Sequence, residues 1–162
     1  MIREALEGIV VIVLLLIFVQ DLKHRAIHIT LPVLVAAIGL YFFISEHRDY
    51  TIIGYNFFFL LITFVGLYLY LVIKNNKIIN LFLSVGVGDL LFFVAVIPYF
   101  STINYILYFI TGMMFSILVF IIIKILSKTE LVPLAGLLAI YFMILKGIFY
   151  WMNLDFFNNN IL

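Results

Sequence analysis

Composition, length and the spacing of polar clusters predict an all-α integral membrane protein, a bundle of about six transmembrane helices. Apolar residues make up 67% of the 162 positions and charged residues 10%, compared with about 45–50% and about 25% in a soluble domain. A helix rises about 1.5 Å per residue, so crossing a hydrocarbon layer of about 30 Å takes about 20 residues. The chain therefore has room for six crossings in a single polytopic domain, and we expect no extramembrane domain.

Short polar clusters separate the apolar stretches and indicate where each helix ends. Four of these breaks lie at 23–25, 46–49, 74–77 and 128–130. A further break near Pro98 is inferred from length as well, because residues 78–123 carry a single charge and are too many for one span. The predicted helices cover residues 2–24, 27–45, 51–73, 78–100, 103–126 and 131–152.

The distribution of Lys and Arg predicts the orientation in the membrane. Basic residues are concentrated after the first, third and fifth helices, and basic loops face the cytoplasm. Both termini are therefore expected outside, in a multi-pass protein of the cytoplasmic membrane. The basic residues on the cytoplasmic side are Lys23, Arg25, Lys74, Lys77, Lys124 and Lys128, and those on the opposite side are Arg3, Arg48 and Lys146. Tyr99, Tyr150 and Trp151 are expected in the aromatic belt at the interface.

Composition and motifs exclude several classes of function. A net charge of +1 and the lack of a basic stripe argue against a nucleic-acid partner. The absence of cysteine excludes disulfides and thiolate metal sites, and there is no Walker loop or HExxH motif. His24 and His28 could share a helix face, but two histidines without a third ligand fit an interfacial position better than a metal site. No metal and no cofactor are expected.

Two aspartates in or beside apolar stretches are the candidate catalytic residues. The uncharged run from Gly8 to Gln20 would be about 20 Å long as a helix, which is too short to cross a bilayer. The first span is therefore expected to include Asp21, Glu7 or both. Asp89 lies in the middle of the fourth predicted helix, where a carboxylate costs about 2.5–3.5 kcal/mol or more, and this indicates a functional site. An aspartate that only hydrogen-bonds to a neighbouring helix is the alternative.

Gly86 and Gly88 precede Asp89 by three residues and by one residue. A single glycine in a membrane helix often marks only a close helix contact. Together, however, these two clear side chains from the approach to the carboxylate, so that an extended peptide and a water can come close. This arrangement suits the hydrolysis of a peptide bond.

The segment Gly86–Asp89 resembles the GxGD motif of intramembrane aspartyl proteases, and the wider pattern resembles the type IV prepilin peptidases and their preflagellin peptidase relatives. In that family the first catalytic Asp closes helix one and is followed by a short basic stretch and Ile-Pro. Asp21–Ile27 fits this spacing, with His28 in place of the proline. Leu91 stands where the family usually has a lysine. The segment Pro133–Gly136 is similar to the Pro-containing segment that opens the last helix of the family.

The resemblance implies an aspartic-type endopeptidase in which Asp21 and Asp89 share one proton. One carboxylate would act as a base on water while the protonated partner polarises the scissile carbonyl. The implied substrate is a prepilin-like protein that is cut at the cytoplasmic face of the membrane, and membrane lipid is the other expected partner. Bifunctional members also methylate the new N-terminus, but their extra domain with paired cysteines has no counterpart here, and methylation is not expected.

The predicted helices place the two aspartates at different depths, because Asp21 borders the basic loop and Asp89 lies in the middle of its span. Three arrangements could remove this difference. Helix four could begin outside the hydrocarbon layer, helix one could continue past Arg25 with its basic side chains reaching the interface, or a closing motion could bring the carboxylates together.

Two other classes of function also place lone carboxylates in a membrane or tolerate them there. A small proton- or cation-coupled transporter or channel subunit would use them as ion sites, and a scaffold of a pilus or secretion assembly would need neither. The presenilin-like proteases match less well, since their first Asp follows a tyrosine and Asp21 follows Gln20. The GxGD spacing favours the prepilin peptidase interpretation.

Overall fold

The computed structural model describes residues 2–75, 86–127 and 132–152. These residues form helices without any strand, which confirms the predicted all-α membrane bundle. Within the described ranges there are six α-helices and one short 3₁₀ helix. They are α1 (Ile2–His24), α2 (Thr30–Ser45), α3 (Tyr50–Asn75), α4 (Val87–Val96), the 3₁₀ helix (Ile97–Tyr99), α5 (Thr102–Ser127) and α6 (Leu134–Trp151).

Helices α1, α3, α5 and α6 are each long and apolar enough to cross a membrane. The chain is therefore a multi-pass membrane protein. Helix α2 is equally apolar but has 16 residues, which corresponds to about 24 Å. Helix α4 and its 3₁₀ continuation form the other short apolar element. The prediction of six helices of similar length was thus right for four of them and too long for α2.

The connection between α1 and α2 explains why α2 begins three residues later than predicted. Arg25 adopts a φ of 52°, a left-handed conformation that ends α1. The backbone N–H of His28 then donates a hydrogen bond to Oε1 of Gln20 (3.1 Å), which holds the loop against the end of α1. Because these residues form a loop, the helix begins at Thr30 and not at residue 27.

The fourth helix differs most from its prediction. Gly86 has a φ of 81° and a ψ of 128°, which no helix contains, so α4 begins at Val87. Residues 78–85 of the predicted span lie outside the described residues. Asp89 is therefore in the first turn of α4, and the prediction that it lies in the middle of one continuous helix was wrong. The predicted break near Pro98 is confirmed, since the 3₁₀ helix ends at Tyr99 and α5 begins at Thr102.

Buried tyrosines connect neighbouring helices through their hydroxyl groups. Tyr99, which was expected at the interface, is 6% exposed and donates to the carbonyl of Val35 in α2 (2.9 Å). Tyr105 and Tyr108 of α5 donate in the same way to carbonyls of α4 and α6, at 3.0 and 3.1 Å. A hydroxyl away from water needs such an acceptor. These bonds from side-chain hydroxyls to main-chain carbonyls therefore connect the 3₁₀ helix to α2, and α5 to α4 and α6.

The two ends of the bundle carry different residues. At one end, Arg3 of α1 lies 3.1 Å from Glu46 after α2, and Arg48 also pairs with Glu46. The C-terminal end of α1 therefore lies at the opposite end. Asn56, near the start of α3, donates to the carbonyl of Phe100 before α5 (3.1 Å), so α1, α3 and α5 run in the same direction. Their basic last turns and the starts of α4 and α6 consequently share the end that contains Asp21.

Candidate active site

Asp21 lies in the last turn of α1, where its side chain faces the interior of the bundle. The residue is 5% exposed although it is charged in water. Its Oδ2 accepts a hydrogen bond from the backbone N–H of Gly136 in α6 at 2.7 Å. A buried carboxylate is tolerated only when it is hydrogen-bonded, and the short bond from the main chain meets this requirement.

Asp89 reaches the same place from α4. Its Oδ1 accepts a hydrogen bond from the backbone N–H of Ala135 at 2.8 Å. The residue is half-buried, in the first turn of its helix. The structure therefore brings the two sequence-predicted aspartates onto consecutive residues of a third helix.

The N-terminus of α6 provides these two hydrogen-bond donors. The first amides of a helix have no partner within it and lie at the positive end of the helix dipole, so they bind carboxylates well. Pro133 precedes the helix with a φ of −79° and a ψ of 70°, and the next residues, Leu134 to Gly136, form the first turn. Three segments that are far apart in the sequence thus converge on one polar centre.

The difference in depth that the sequence suggested does not occur. Helix α1 ends at His24, so it does not continue past Arg25. Because α4 begins at Val87, Asp89 lies at the same end of the bundle as Asp21. No closing motion is needed to give the two carboxylates neighbouring partners, since both are bonded to α6 in this structure.

Both carboxylates open onto one cavity of about 460 Å³, within the range of about 300–1,000 Å³ that is usual for ligand sites. The walls are mostly apolar, and Arg25 brings a positive charge to them. Leu91 lines the same cavity. The lining residues are Asp21, Arg25, Ala26, Ile27, Ile29, Gly86, Val87, Gly88, Asp89, Leu91 and Val132.

Gly86 and Gly88 both line the cavity, but their surroundings differ. A Cβ on Gly86 would lie 3.0 Å from Oδ2 of Asp89, and the left-handed φ of this residue also favours glycine. A Cβ on Gly88 would instead be 3.4 to 3.6 Å from the side chain of Ile27. Glycine is therefore favoured at position 86 next to the carboxylate, whereas a Cβ at position 88 would make only an ordinary van der Waals contact with Ile27. Their role in the approach of a substrate stays a prediction.

The α6 residues that hold the carboxylates were not among the predicted site residues. A Cβ on Gly136 would lie 3.0 Å from Cβ of Asp21 and 3.3 Å from Cα of Phe18, so this glycine permits the close contact of α6 with α1. The sequence does contain one indication of their role, which is a proline followed by small residues at the start of an apolar helix. This pattern marks a helix N-terminus whose backbone amides another group can approach.

The centre is suited to proton transfer. Two carboxylates that lie close together do not both ionise readily, so such a pair is able to hold one proton in common. One oxygen of each carboxylate is bonded to α6, so the other oxygen is available to a water or a substrate in the cavity. Among the residues that the structure describes, no group of three or more His, Cys, Asp or Glu side chains could hold a metal ion. His28 instead lies 2.8 Å from the Thr30 hydroxyl, through its Nδ1.

Comparison with known proteins provides no family assignment. No family model, no curated protein and no solved structure matches this chain. What the protein does must therefore be inferred from the chemistry of the centre that Asp21 and Asp89 form at the start of α6.

Proposed function

We propose that the protein is an intramembrane aspartyl endopeptidase that removes the leader peptide of type IV prepilin-like substrates at the cytoplasmic face of the membrane. A single observation carries this proposal: Asp21 and Asp89 are bonded to consecutive amides of α6 and face one cavity. This pairing supplies an acid and a base at the same place, which is what peptide-bond hydrolysis by carboxylates requires.

In this mechanism the ionised carboxylate takes a proton from a water molecule in the cavity. The resulting hydroxide attacks the carbonyl carbon of the scissile bond, and the protonated partner donates its proton to the carbonyl oxygen. Collapse of the tetrahedral intermediate then breaks the carbon–nitrogen bond, and the leaving amine takes up a proton from the pair. The amides of Ala135 and Gly136 hold the carboxylates in place and stabilise the charge that remains between them.

The position of the site supports cleavage next to a substrate's apolar helix and not within it. Asp21 is three residues before the end of α1, and Asp89 is two residues after the start of α4. The last turns of α1, α3 and α5 at this end carry Lys23, Lys74 and Lys124, and basic ends favour the cytoplasmic side. A prepilin-like substrate presents its cleavage site in this place, just before its apolar stretch.

The location at one end of the bundle also weakens the transporter alternative. An ion carrier needs its carboxylates to be reached from both sides of the membrane. At the other end of the bundle the structure has a separate pocket, lined by Glu7 and Lys146 among others. A protease of the proposed kind needs its two carboxylates to be reached from only one side of the membrane, and their position at one end of the bundle meets this need.

The test uses purified protein in detergent and a peptide with a basic leader followed by an apolar segment. We expect mass spectrometry to find one cut, before the apolar segment. Asp21→Asn and Asp89→Asn should each lower the rate at least about 100-fold, because the amide cannot exchange the shared proton. Asp49→Asn is the matched control, since this exposed aspartate lies in the α2–α3 turn and should leave the rate unchanged.

Two results would contradict the proposal. The first is an intact peptide after incubation with folded wild-type protein in lipid as well as in detergent. The second is full cleavage by either aspartate variant. Size-exclusion chromatography of each variant separates loss of chemistry from loss of the fold, and a variant that aggregates would favour a structural role for that carboxylate.

A further inference from the structure

Arg25 is the positively charged residue among those that line the catalytic cavity. It follows α1 directly, and its backbone N–H donates to the carbonyl of Asp21 at 3.0 Å. Its φ of 52° is uncommon for a residue with a side chain. A left-handed residue is common where a helix ends, so this conformation marks the end of α1 and turns the chain toward the cavity wall formed by Ala26 and Ile27.

The guanidinium group of Arg25 has an unused donor. Its Nη1 is buried and has no hydrogen-bond partner among the described residues. Arginine stays protonated in proteins and accepts no hydrogen bonds, so this nitrogen can only be satisfied by an acceptor. A buried donor on a charged group is costly when it is left unpaired. An acceptor supplied by a bound molecule would remove this cost.

The catalytic carboxylates do not serve as that acceptor. Asp21 and Asp89 are bonded through Oδ2 and Oδ1 to the amides of α6. The ion pairs found in the described part of the chain involve Arg3 and Arg48, at the other end of the bundle. The Arg25 guanidinium acts electrostatically on Asp21, but its buried Nη1 still has no acceptor among the described residues and can donate to a molecule in the cavity.

We propose that Arg25 forms a subsite for the carboxylate of an acidic substrate residue close to the scissile bond. This inference rests on the proposed protease function. A guanidinium group matches the planar geometry of a carboxylate and can bind both of its oxygens. Without this cation, the negative charge of the aspartate pair would repel an acidic residue that enters the cavity. Arg25 therefore favours substrates that carry Asp or Glu near the cut.

The experiment compares matched peptides that carry Glu or Gln at one position, moved in turn across the residues on both sides of the scissile bond. For wild-type protein we expect kcat/KM to be about tenfold or more higher for Glu than for Gln at one position. Arg25→Gln should bring this ratio close to one, and Arg25→Glu should favour a peptide with Lys at that position. The matched control is Lys23→Gln, because Lys23 is exposed at the same end of α1 and lines a different pocket.

Each outcome separates this inference from the proposed function. Equal cleavage of Glu and Gln peptides at every position would overturn the subsite and leave the protease intact. A further contrary result is that Arg25→Gln lowers the cleavage of the Glu and Gln peptides by the same factor and keeps the preference for Glu. That result would overturn the subsite as well, since Arg25 would then only support the aspartate pair. Failure of wild-type protein to cut any peptide would contradict the protease itself. In that case, binding of the labelled Glu and Gln peptides to wild-type and Arg25→Gln protein still tests the subsite.

Discussion

Asp21 and Asp89 accept hydrogen bonds from two consecutive backbone amides, those of Gly136 and Ala135, at 2.7 and 2.8 Å. The partners of both carboxylates are therefore main-chain groups at the start of one helix. This arrangement couples the two aspartates, because a displacement of α6 changes both bonds at once. It also makes the position of each carboxylate depend on how closely α1 and α4 approach α6.

The first prediction concerns the two aspartates as a unit. Asp21→Asn combined with Asp89→Asn should cleave substrate no more than about tenfold more slowly than either single variant, since one lost partner already prevents proton sharing. Rates measured with purified variants at equal concentration test this. Fully multiplicative losses would show that the two residues act in independent steps.

A second prediction concerns the contact between α6 and α1. Gly136→Ala adds a Cβ 3.0 Å from Cβ of Asp21 and 3.3 Å from the backbone of Phe18. We expect a loss of stability of about 1–3 kcal/mol from overpacking and at least a tenfold loss of activity from the displaced carboxylate. Gly147→Ala in the same helix is the control, because nothing lies within 4 Å of its added Cβ. Thermal unfolding in detergent and peptide cleavage measure the two effects, and wild-type activity of Gly136→Ala would refute the proposed contact.

A third prediction concerns the residue that begins α4. Gly86→Ala should be destabilised by about 1–2 kcal/mol, because an L-residue is disfavoured at a φ of 81°. It should also lose activity, since the new Cβ would lie 3.0 Å from Oδ2 of Asp89. Gly54→Ala provides the comparison, as its Cβ would meet open space. If Gly86→Ala is as active as Gly54→Ala, then the glycine is not needed beside the carboxylate.

A fourth prediction concerns the orientation in the membrane. The chain contains no cysteine, so single cysteines can be introduced and labelled with a reagent that does not cross membranes. Cysteines in place of Lys23 and Lys74 should be protected in intact cells, and one in place of Tyr150 should react, because Tyr150 is exposed near the opposite end of α6. Labelling of Lys23→Cys from outside would place the cavity of Asp21 and Asp89 on the wrong side for the proposed prepilin processing.

A fifth prediction concerns the start of α3. The backbone N–H of Thr51 donates to Oδ1 of Asp49 at 3.0 Å, and this bond holds the pKa of the Asp49 carboxyl below its ordinary value of 3.8. A lowered pKa means that the ionised form stabilises the fold above pH 3.8 and that this contribution disappears as the pH falls through the lower folded value. The difference in melting temperature between wild type and Asp49→Asn should therefore shrink in acid. If the difference between the two melting temperatures stays constant from neutral to acidic pH, the ionised Asp49 carboxylate does not stabilise the start of α3.

Several features of the fold could be predicted because lipid imposes strong constraints on sequence. The bounds of α1 and the break near Pro98 were predicted correctly. The first prediction follows from the polar residues that flank an apolar stretch, and the second follows from the limited number of residues that one span can contain. The length of α4 was not predictable from hydropathy, because the left-handed Gly86 sets the start of this helix without any change in the apolar composition. Tyr99 was misplaced for a related reason: its partner, the Val35 carbonyl, belongs to a helix that is distant in sequence.

The candidate site was predictable in its carboxylates and not in their partners. Asp21 and Asp89 are conspicuous because acidic residues are costly in an apolar segment. The backbone amides of Ala135 and Gly136 cannot be recognised from the sequence, because every residue except proline carries a backbone N–H. The pairing across the bundle depends on tertiary packing, and so does the unpaired nitrogen of Arg25.

The place of the two amides in the chain has a consequence for biosynthesis. The ribosome makes α1 and α4 well before α6, so a nascent chain contains both aspartates but lacks the group that holds them together. Until α6 has entered the membrane, the carboxylates have no common anchor and the acid–base pair is not assembled. Under the proposed function, a chain that has not yet inserted α6 would therefore lack activity, because Asp21 and Asp89 gain their shared partners only when this helix packs against α1 and α4.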